Sequence, residues 1–193
     1  MPAPLLKRTP GPDLPEPLRS AWNASMELRG DATFMEVFGN HPDLFRWYSE
    51  SFYGEVFQGG KAPRRLKEML RLRLSSLHGC RFCNQGNRED ARRAGFNEAE
   101  ITAIESGDNA VFPAPEAAVL ALAERLALTT DNGTLDSALL AQLHEAGLDD
   151  GQVLELGMVA GILAGMARFL FAYDLVEKEP TCPFHQTEEN ASP

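Results

Sequence analysis

Histidine and cysteine are both scarce in this chain, and their scarcity narrows the chemistry open to it. There are four histidines and three cysteines in 193 residues. An odd cysteine count does not suit the disulfide framework of a small secreted protein. The expected location is therefore the cytoplasm, where a persistent structural disulfide is uncommon. Positive charge is also short. Eighteen Lys and Arg face 28 Asp and Glu, a formal net charge of −10. Such a surface repels phosphate backbones, so no nucleic-acid partner is expected. The longest apolar run, residues 156–167 between Glu155 and Arg168, is too short to cross a bilayer, and no membrane partner is expected. The first 17 residues are rich in proline and lack the apolar core of a secretory signal. No stretch alternates with the period of two that marks a strand, and no repeat of fixed period occurs. These absences leave an all-α chain, long enough to bury a core in one domain without staples.

Proline, glycine and capping residues punctuate the helices. Residues 1–14, with Pro2, Pro4, Pro10 and Pro12, form an N-terminal arm, flexible or draped over the surface. A helical domain is expected over residues 15–177 and a polar tail over 178–193. A first helix should start near Pro15 and end before Gly30, and a short one should span 32–38. Pro42 suits an N1 position, with Asp43 in the first turn of a third helix. Its Leu44, Phe45, Tyr48, Phe52 and Val56 recur at α-helical spacing, and Gly59-Gly60 ends it. Pro63 opens a fourth helix with the apolar stripe Leu66, Met69, Leu70, Leu74 and Leu77. Arg64, Arg65, Lys67, Arg71 and Arg73 supply much of the rest; with Lys61 and Arg81 they form a local basic patch. A fifth helix begins at the cysteines and stops at Ala94-Gly95. Asn97 and Glu100 form the capping box of a sixth, running to about Ile104. Pro115 and Glu116 open a helix to about Leu128. Asp131-Asn132-Gly133 is a turn, Thr134 caps the next helix, and Gly147 closes it. The last and longest helix starts at Asp149 or Asp150 and reaches about Glu177. About eight helices with short connections make a single-domain helical bundle.

Cys80 and Cys83 stand three apart where the fourth helix ends and the fifth begins. The thiolate is the nucleophile, and a helix N-terminus with basic neighbours favours it. Together they can lower a free-thiol pKa of about 8.5 by one or more units. A Cys-x-x-Cys supplies a reactive and a resolving sulfur in one turn. The same pattern also serves zinc: Cys182 and His185 in the tail would complete a four-ligand set if the tail folded back. The plain alternative is two half-buried cysteines packed as small apolar groups. Phe82 between them makes the site drier, which raises a thiol pKa unless a charge opposes it. His78 is the nearest histidine; the ordinary reading is that it bonds the last carbonyls of its helix. Glu68 has an ordinary reading too, as a partner for neighbouring cations on a solvated helix face.

Glu68, twelve positions before Cys80, followed by Cys80-x-x-Cys83, resembles the alkylhydroperoxidase D-like branch of the carboxymuconolactone decarboxylase superfamily. The Asn40-His41-Pro42 helix start, the Gly59-Gly60 loop, the 63–77 helix and the Ala94-Gly95 stop fit it as well. The resemblance spans roughly residues 15–175, densest over 40–107. It implies an all-helical subunit that assembles into a homo-oligomer, a trimer or hexamer, and needs no cofactor or metal. It implies that Cys83 attacks a peroxide, that Cys80 resolves the product and that Glu68 is the base that begins proton removal. The family histidine four positions after the second cysteine is Asn87 here. An amide on that helix face can hydrogen-bond near the sulfur but cannot relay a proton. The implied function is a peroxidase-related thiol oxidoreductase acting on a small hydroperoxide or a disulfide, recycled by a dithiol reductant protein. A non-redox decarboxylase-like enzyme and a zinc-clipped structural oligomer are the alternatives.

Two further patterns stand out. Gly157, Gly161 and Gly165 follow one another at intervals of four on the last helix, where each costs about 1 kcal/mol against alanine. They point to close approach of another backbone, in a central or an intersubunit helix. Phe45, Trp47, Tyr48, Phe52, Tyr53 and Phe57 make the third helix aromatic, suited to core or oligomer contacts and able to line an apolar mouth to the cysteine site. His41 and His144 are isolated and are expected to be structural or surface residues.

Overall fold

The computed structural model describes residues 2–128, 135 and 137–184. Among the described residues there is no strand, and nine α-helices with one π-helical segment carry the fold. In order these are α1 (Leu18–Arg29), α2 (Thr33–Phe38), α3 (Pro42–Arg46), the π-helix (Trp47–Gln58), α4 (Arg64–His78), α5 (Arg81–Arg93), α6 (Glu98–Ser106), α7 (Ala114–Leu126), α8 (Ser137–Glu145) and α9 (Asp150–Ala172). Capping boxes start α6 at Asn97 and α9 at Asp149. The turn expected at 131–133, the Thr134 cap and His185 lie outside the described residues. The N-terminal arm is packed down: the Leu5 N–H donates to the Tyr173 carbonyl (3.2 Å) and that of Thr9 to Glu36 (2.9 Å).

Two helices differ from their expected course. The third helix is α-helical only as far as Arg46 and then widens into the π-helix. The wider turn brings aromatic residues into contact. A π-turn brings residues five apart together, and the Tyr48 and Tyr53 rings meet at 5.1 Å, edge to face, while Phe52 and Phe57 lie 6.3 Å apart. The last helix stops at Ala172, not near Glu177. Asp174 takes a positive φ of 53° and the Leu175 N–H donates back to Leu170 (2.9 Å). Leu175 and Val176, which prolong the apolar pattern, are buried in a core beside α2 instead of extending the helix.

Helix α4 is the hub. It packs against α5, α6, α7 and α9, and residues 66–75 are buried all round. The basic patch expected on it therefore does not exist. Lys67 is fully buried and its Nζ reaches Glu155 on α9 (2.8 Å) and the Val56 carbonyl (2.9 Å). Arg65 pairs with Glu100 on α6 (2.9 Å) and Glu116 on α7 (2.6 Å), and Arg73 with Glu124 on α7 (2.7 Å). A cation removed from water must find a carboxylate, and each surrounding helix supplies one.

By length and composition alone α9 is apolar enough to cross a membrane, a longer apolar stretch than the 12-residue run suggests. In this fold its Leu156, Val159 and Ala160 are buried in the main core with α4 and α7.

Breaking the central ion pair should be costly from one side only. Glu155→Ala leaves the Lys67 ammonium with one carbonyl, and about 3–5 kcal/mol of unfolding free energy should be lost. Lys67→Met should cost clearly less, because Glu155 still accepts the Lys61 and Ala62 backbone N–H groups (2.6 and 3.2 Å). Urea unfolding of both variants measures this; equal losses would contradict the one-sided burial.

Candidate functional site

The site begins at a turn that only glycine fits. Gly79 ends α4 with φ 64°, and a Cβ there would lie 2.5 Å from the Cys182 Cα. The chain then enters α5 with Cys80 as its N-cap, and the Cys80 sulfur accepts the Cys83 backbone N–H (3.2 Å). The two cysteines are joined in a disulfide with Cα atoms 5.2 Å apart, a normal span for such a bridge. Cys80 is completely buried, whereas Cys83 is half-buried.

Cys80 and Cys83 both line a cavity of about 190 Å³. Its walls are mostly apolar: Phe34 and Met35 from α2, Tyr48 and Tyr53 from the π-helix, Phe82, and Leu163, Met166 and Leu170 from α9. The polar groups are few: Arg29 from α1, Arg71, Ser75 and His78 from α4, and Asn87 and Asp90 from α5. Burial raises the Tyr48 phenol well above its ordinary range, and neighbouring Tyr53 adds to this, so the hydroxyl is protonated at neutral pH. Burial brings His78 down to about 4. The imidazole is neutral, and its Nε2 accepts the Leu128 N–H (3.1 Å). His78 is thus no solvated helix-end residue bonding the last carbonyls, as its position suggested; α4 ends inside the protein.

Of the residues singled out in the sequence, Cys80, Cys83 and Asn87 meet at the cavity, and Glu68 does not line it. Glu68 is buried and held by Arg71, and Arg64 lies 3.4 Å away. A solvated face is excluded. Burial raises its carboxyl above the usual range, with the Arg71 charge opposing the shift. Arg71 stands between Glu68 and Asp90 (2.8 Å to Asp90) and packs over the Phe57 ring at 4.9 Å. Asn87 turns its amide N–H groups to α4, donating to the Ser75 hydroxyl (2.9 Å) and the Arg71 carbonyl (3.4 Å).

Ser75, Asp90 and Arg29 escaped the sequence reading. Asp90 was visible in principle: Cys83, Gly86, Asn87 and Asp90 are spaced three, four and seven apart on one helix face. Arg29 carries no such signal, being 53 residues from the Phe82 carbonyl that its Nε–H reaches (3.1 Å). Tyr48 and Tyr53 do line the cavity, while Phe52 and Phe57 are buried in the core behind them.

The tail does fold back over the start of α5. The Phe82 N–H donates to Glu177 (3.3 Å) and the Glu179 N–H to Gly79 (2.8 Å). Cys182 is a buried free thiol whose S–H donates to the His78 carbonyl (3.0 Å). Among the described residues no group of three or more His, Cys, Asp and Glu is placed to hold a metal ion.

His78 should leave a mark on the pH dependence of stability. Its pKa is about 4 when folded and about 6.5 when unfolded. Between these values the unfolded chain binds a proton that the folded one refuses, so stability falls as pH drops through that window, by roughly 3 kcal/mol in full. His78→Gln should lack that component. Urea midpoints from pH 7 to 4 test this, and parallel profiles for the two proteins would remove the assignment.

Comparison with known proteins gives the same frame. Residues 42–125 match the model of the carboxymuconolactone decarboxylase family. A stretch of 66 residues is 33% identical to the uncharacterized protein YdfG of Bacillus subtilis (strain 168), covering 34% of this chain and 45% of that protein. The chain thus matches less than half the length of this curated relative. The fold is shared with a peroxidase-related protein of Ralstonia eutropha JMP134 described as an alkylhydroperoxidase AhpD core. The TM-score is 0.71 at 15% identity, over 93% of this chain and 94% of that one. It is shared also with a cysteine-to-alanine variant of the debrominase Bmp8, solved in complex with 2,3,4-tribromopyrrole. Here the TM-score is 0.70 at 20% identity, over 92% and 93% of the two chains. The family match thus runs over residues 42–125, from α3 through most of α7, and the fold around it is shared with the alkylhydroperoxidase AhpD core.

Proposed function

We propose that this protein is a thiol oxidoreductase in which Cys83 and Cys80 reduce a small hydroperoxide or exchange with a disulfide. One observation carries the reading: a Cys80–Cys83 disulfide at a mostly apolar cavity, with Cys83 the more accessible residue and Cys80 fully buried beside it. The order of events follows from that asymmetry. The Cys83 thiolate attacks the outer peroxide oxygen, the O–O bond breaks, and the alcohol leaves with a proton. Cys83 is then a sulfenic acid. The Cys80 thiol attacks its sulfur, water departs, and the disulfide forms. A dithiol reductant protein, attacking the accessible Cys83 sulfur, restores both thiols.

A second reading uses the same two electrons. The fold shared with a debrominase bound to a tribromopyrrole and the aromatic wall of Phe34, Tyr48, Tyr53 and Phe82 suit a flat halogenated ring. A carbon–halogen bond would be exchanged for carbon–hydrogen, with the halide leaving and the dithiol becoming the disulfide.

Cys83→Ser should abolish turnover in either case, while Asn87→His should raise the peroxidase rate if proton transfer limits it. Peroxide consumption with a dithiol reductant, run beside halide release from a bromopyrrole, separates the readings. Undiminished consumption of both by Cys83→Ser would sink the thiol mechanism.

The oligomer belongs to the same proposal. Among the described residues, a Cβ at Gly157, Gly161 or Gly165 would meet nothing within 4 Å, so the glycine ridge is not explained by close packing among them. Leu154 and Met158 on this helix are 71% and 57% exposed. A second copy of the chain is the proposed cover, its backbone closing on the glycine ridge. Met158→Glu should then lower the mass measured by light scattering to that of a smaller species; an unchanged mass would place the interface elsewhere.

A further inference from the structure

We infer that Arg29 is the charge partner of the Cys83 thiolate, brought in from α1 to a site whose position 87 supplies no ionisable group. The inference rests on the thiol reading above and adds a residue to it.

The guanidinium is held against the first turns of α5 by three contacts. Its Nε–H donates to the Phe82 carbonyl (3.1 Å), its carbon lies 4.4 Å from the centre of the Phe82 ring, and its Nη2 occupies the space beside Gly86. A Cβ at residue 86 would come within 2.1 Å of that nitrogen. Position 86 lies three residues beyond Cys83, one turn along the same face. Glycine there leaves room for a guanidinium lying along the wall that carries the sulfur. Arg29 and Cys83 line the same cavity.

The electrostatic surroundings single Arg29 out. Arg71, the other guanidinium of the cavity, is answered by Glu68 and Asp90. His78 is neutral at physiological pH, and Tyr48, hydrogen-bonded to Tyr53, is protonated. Arg81, next to the cysteines, pairs with Glu177 (3.1 Å), and Lys178 of the tail with Asp174 (3.8 Å). Leu163, Met166, Ala167 and Leu170 of α9 bring no charge. Among the described residues Arg29 has no carboxylate at ion-pair distance; Asp31 and Asp90 act on it from farther away. Its remaining bond goes to the Ser25 hydroxyl (3.4 Å).

A part-buried, unpaired cation is costly unless an anion is present in some state of the protein. In the disulfide state both sulfurs are neutral. On reduction, the Cys83 thiol loses its proton to solvent and the thiolate becomes the missing anion. An apolar cavity alone would raise the thiol pKa; a cation within about 4–6 Å opposes this by one to three units. The start of α5 contributes in the same direction.

The test is the pH profile of Cys83 alkylation by iodoacetamide in the reduced protein. Following the Cys83 peptide by mass spectrometry keeps Cys80 and Cys182 separate. The wild-type midpoint should lie below the free-thiol value of about 8.5. Arg29→Gln should raise it by about one unit or more, a roughly tenfold loss of thiolate at neutral pH. Gly86→Ala keeps the arginine but displaces its guanidinium, and should shift the midpoint the same way; Arg29→Lys should fall between. If Arg29→Gln does not fold, Gly86→Ala and Arg29→Lys decide the matter. Midpoints that superimpose on wild type would overturn the inference. The thiol mechanism stands or falls separately, on whether peroxide converts wild-type Cys80 and Cys83 to the disulfide.

Discussion

The fold depends on answering the charges of one buried helix. Helix α4 runs through the centre of the protein with Lys67, Glu68, Arg71 and Arg73 in its buried stretch. A buried ion without a partner costs several kcal/mol, so these residues dictate what packs around them. Glu155 fixes α9 to α4, Glu116 and Glu124 fix α7, and Asp90 fixes α5. Apolar contacts supply the bulk of the stability, but they do not choose a register. A carboxylate that must meet a particular guanidinium does.

The site inherits this arrangement. Arg71, needed to neutralise Glu68 and Asp90, stands between Glu68 and the cavity and leaves the carboxylate outside its wall. Asn87 is turned toward Ser75 and the Arg71 carbonyl. The positions that resemble the family relay are present in the chain, yet their side chains are engaged in structural bonds. What remains free to act is the pair of cysteines, one more accessible and one fully buried. The tail closes the far side of the turn, with Cys182 against Gly79 and Phe184 near the His78 ring at 6.1 Å. The tail thereby covers the turn on that side, while Arg81 within it stays exposed.

The proposed chemistry follows from this geometry. A mostly apolar cavity favours a small or flat substrate. It also makes a thiolate expensive, which is why the state of nearby charges matters more than their number. The basic segment of α4 is rich in cations, but most of them are spent on carboxylates. Of the two guanidinium groups lining the cavity, Arg29 has no carboxylate at ion-pair distance among the described residues, and it comes from a helix with no sequence link to the motif.

Local rules determined much of this protein. Proline and glycine placed the helix starts and stops, as at Pro42, Gly30 and Gly79, because backbone φ restrictions act within a few residues. The capping boxes at Asn97 and Asp149 have the same local origin. The cysteine turn and the Glu68 spacing were legible because they lie on one helix pair. Tertiary structure decided the rest. It widened the third helix beyond Arg46, ended α9 at Ala172 with the tail reaching Gly79, and turned an apparent basic patch into a set of ion pairs. It also brought Arg29 to Phe82 and Gly86 across more than fifty residues of chain. Burial and charge pairing depend on which helices meet, and periodicity along one helix does not say which partner will supply the opposite charge.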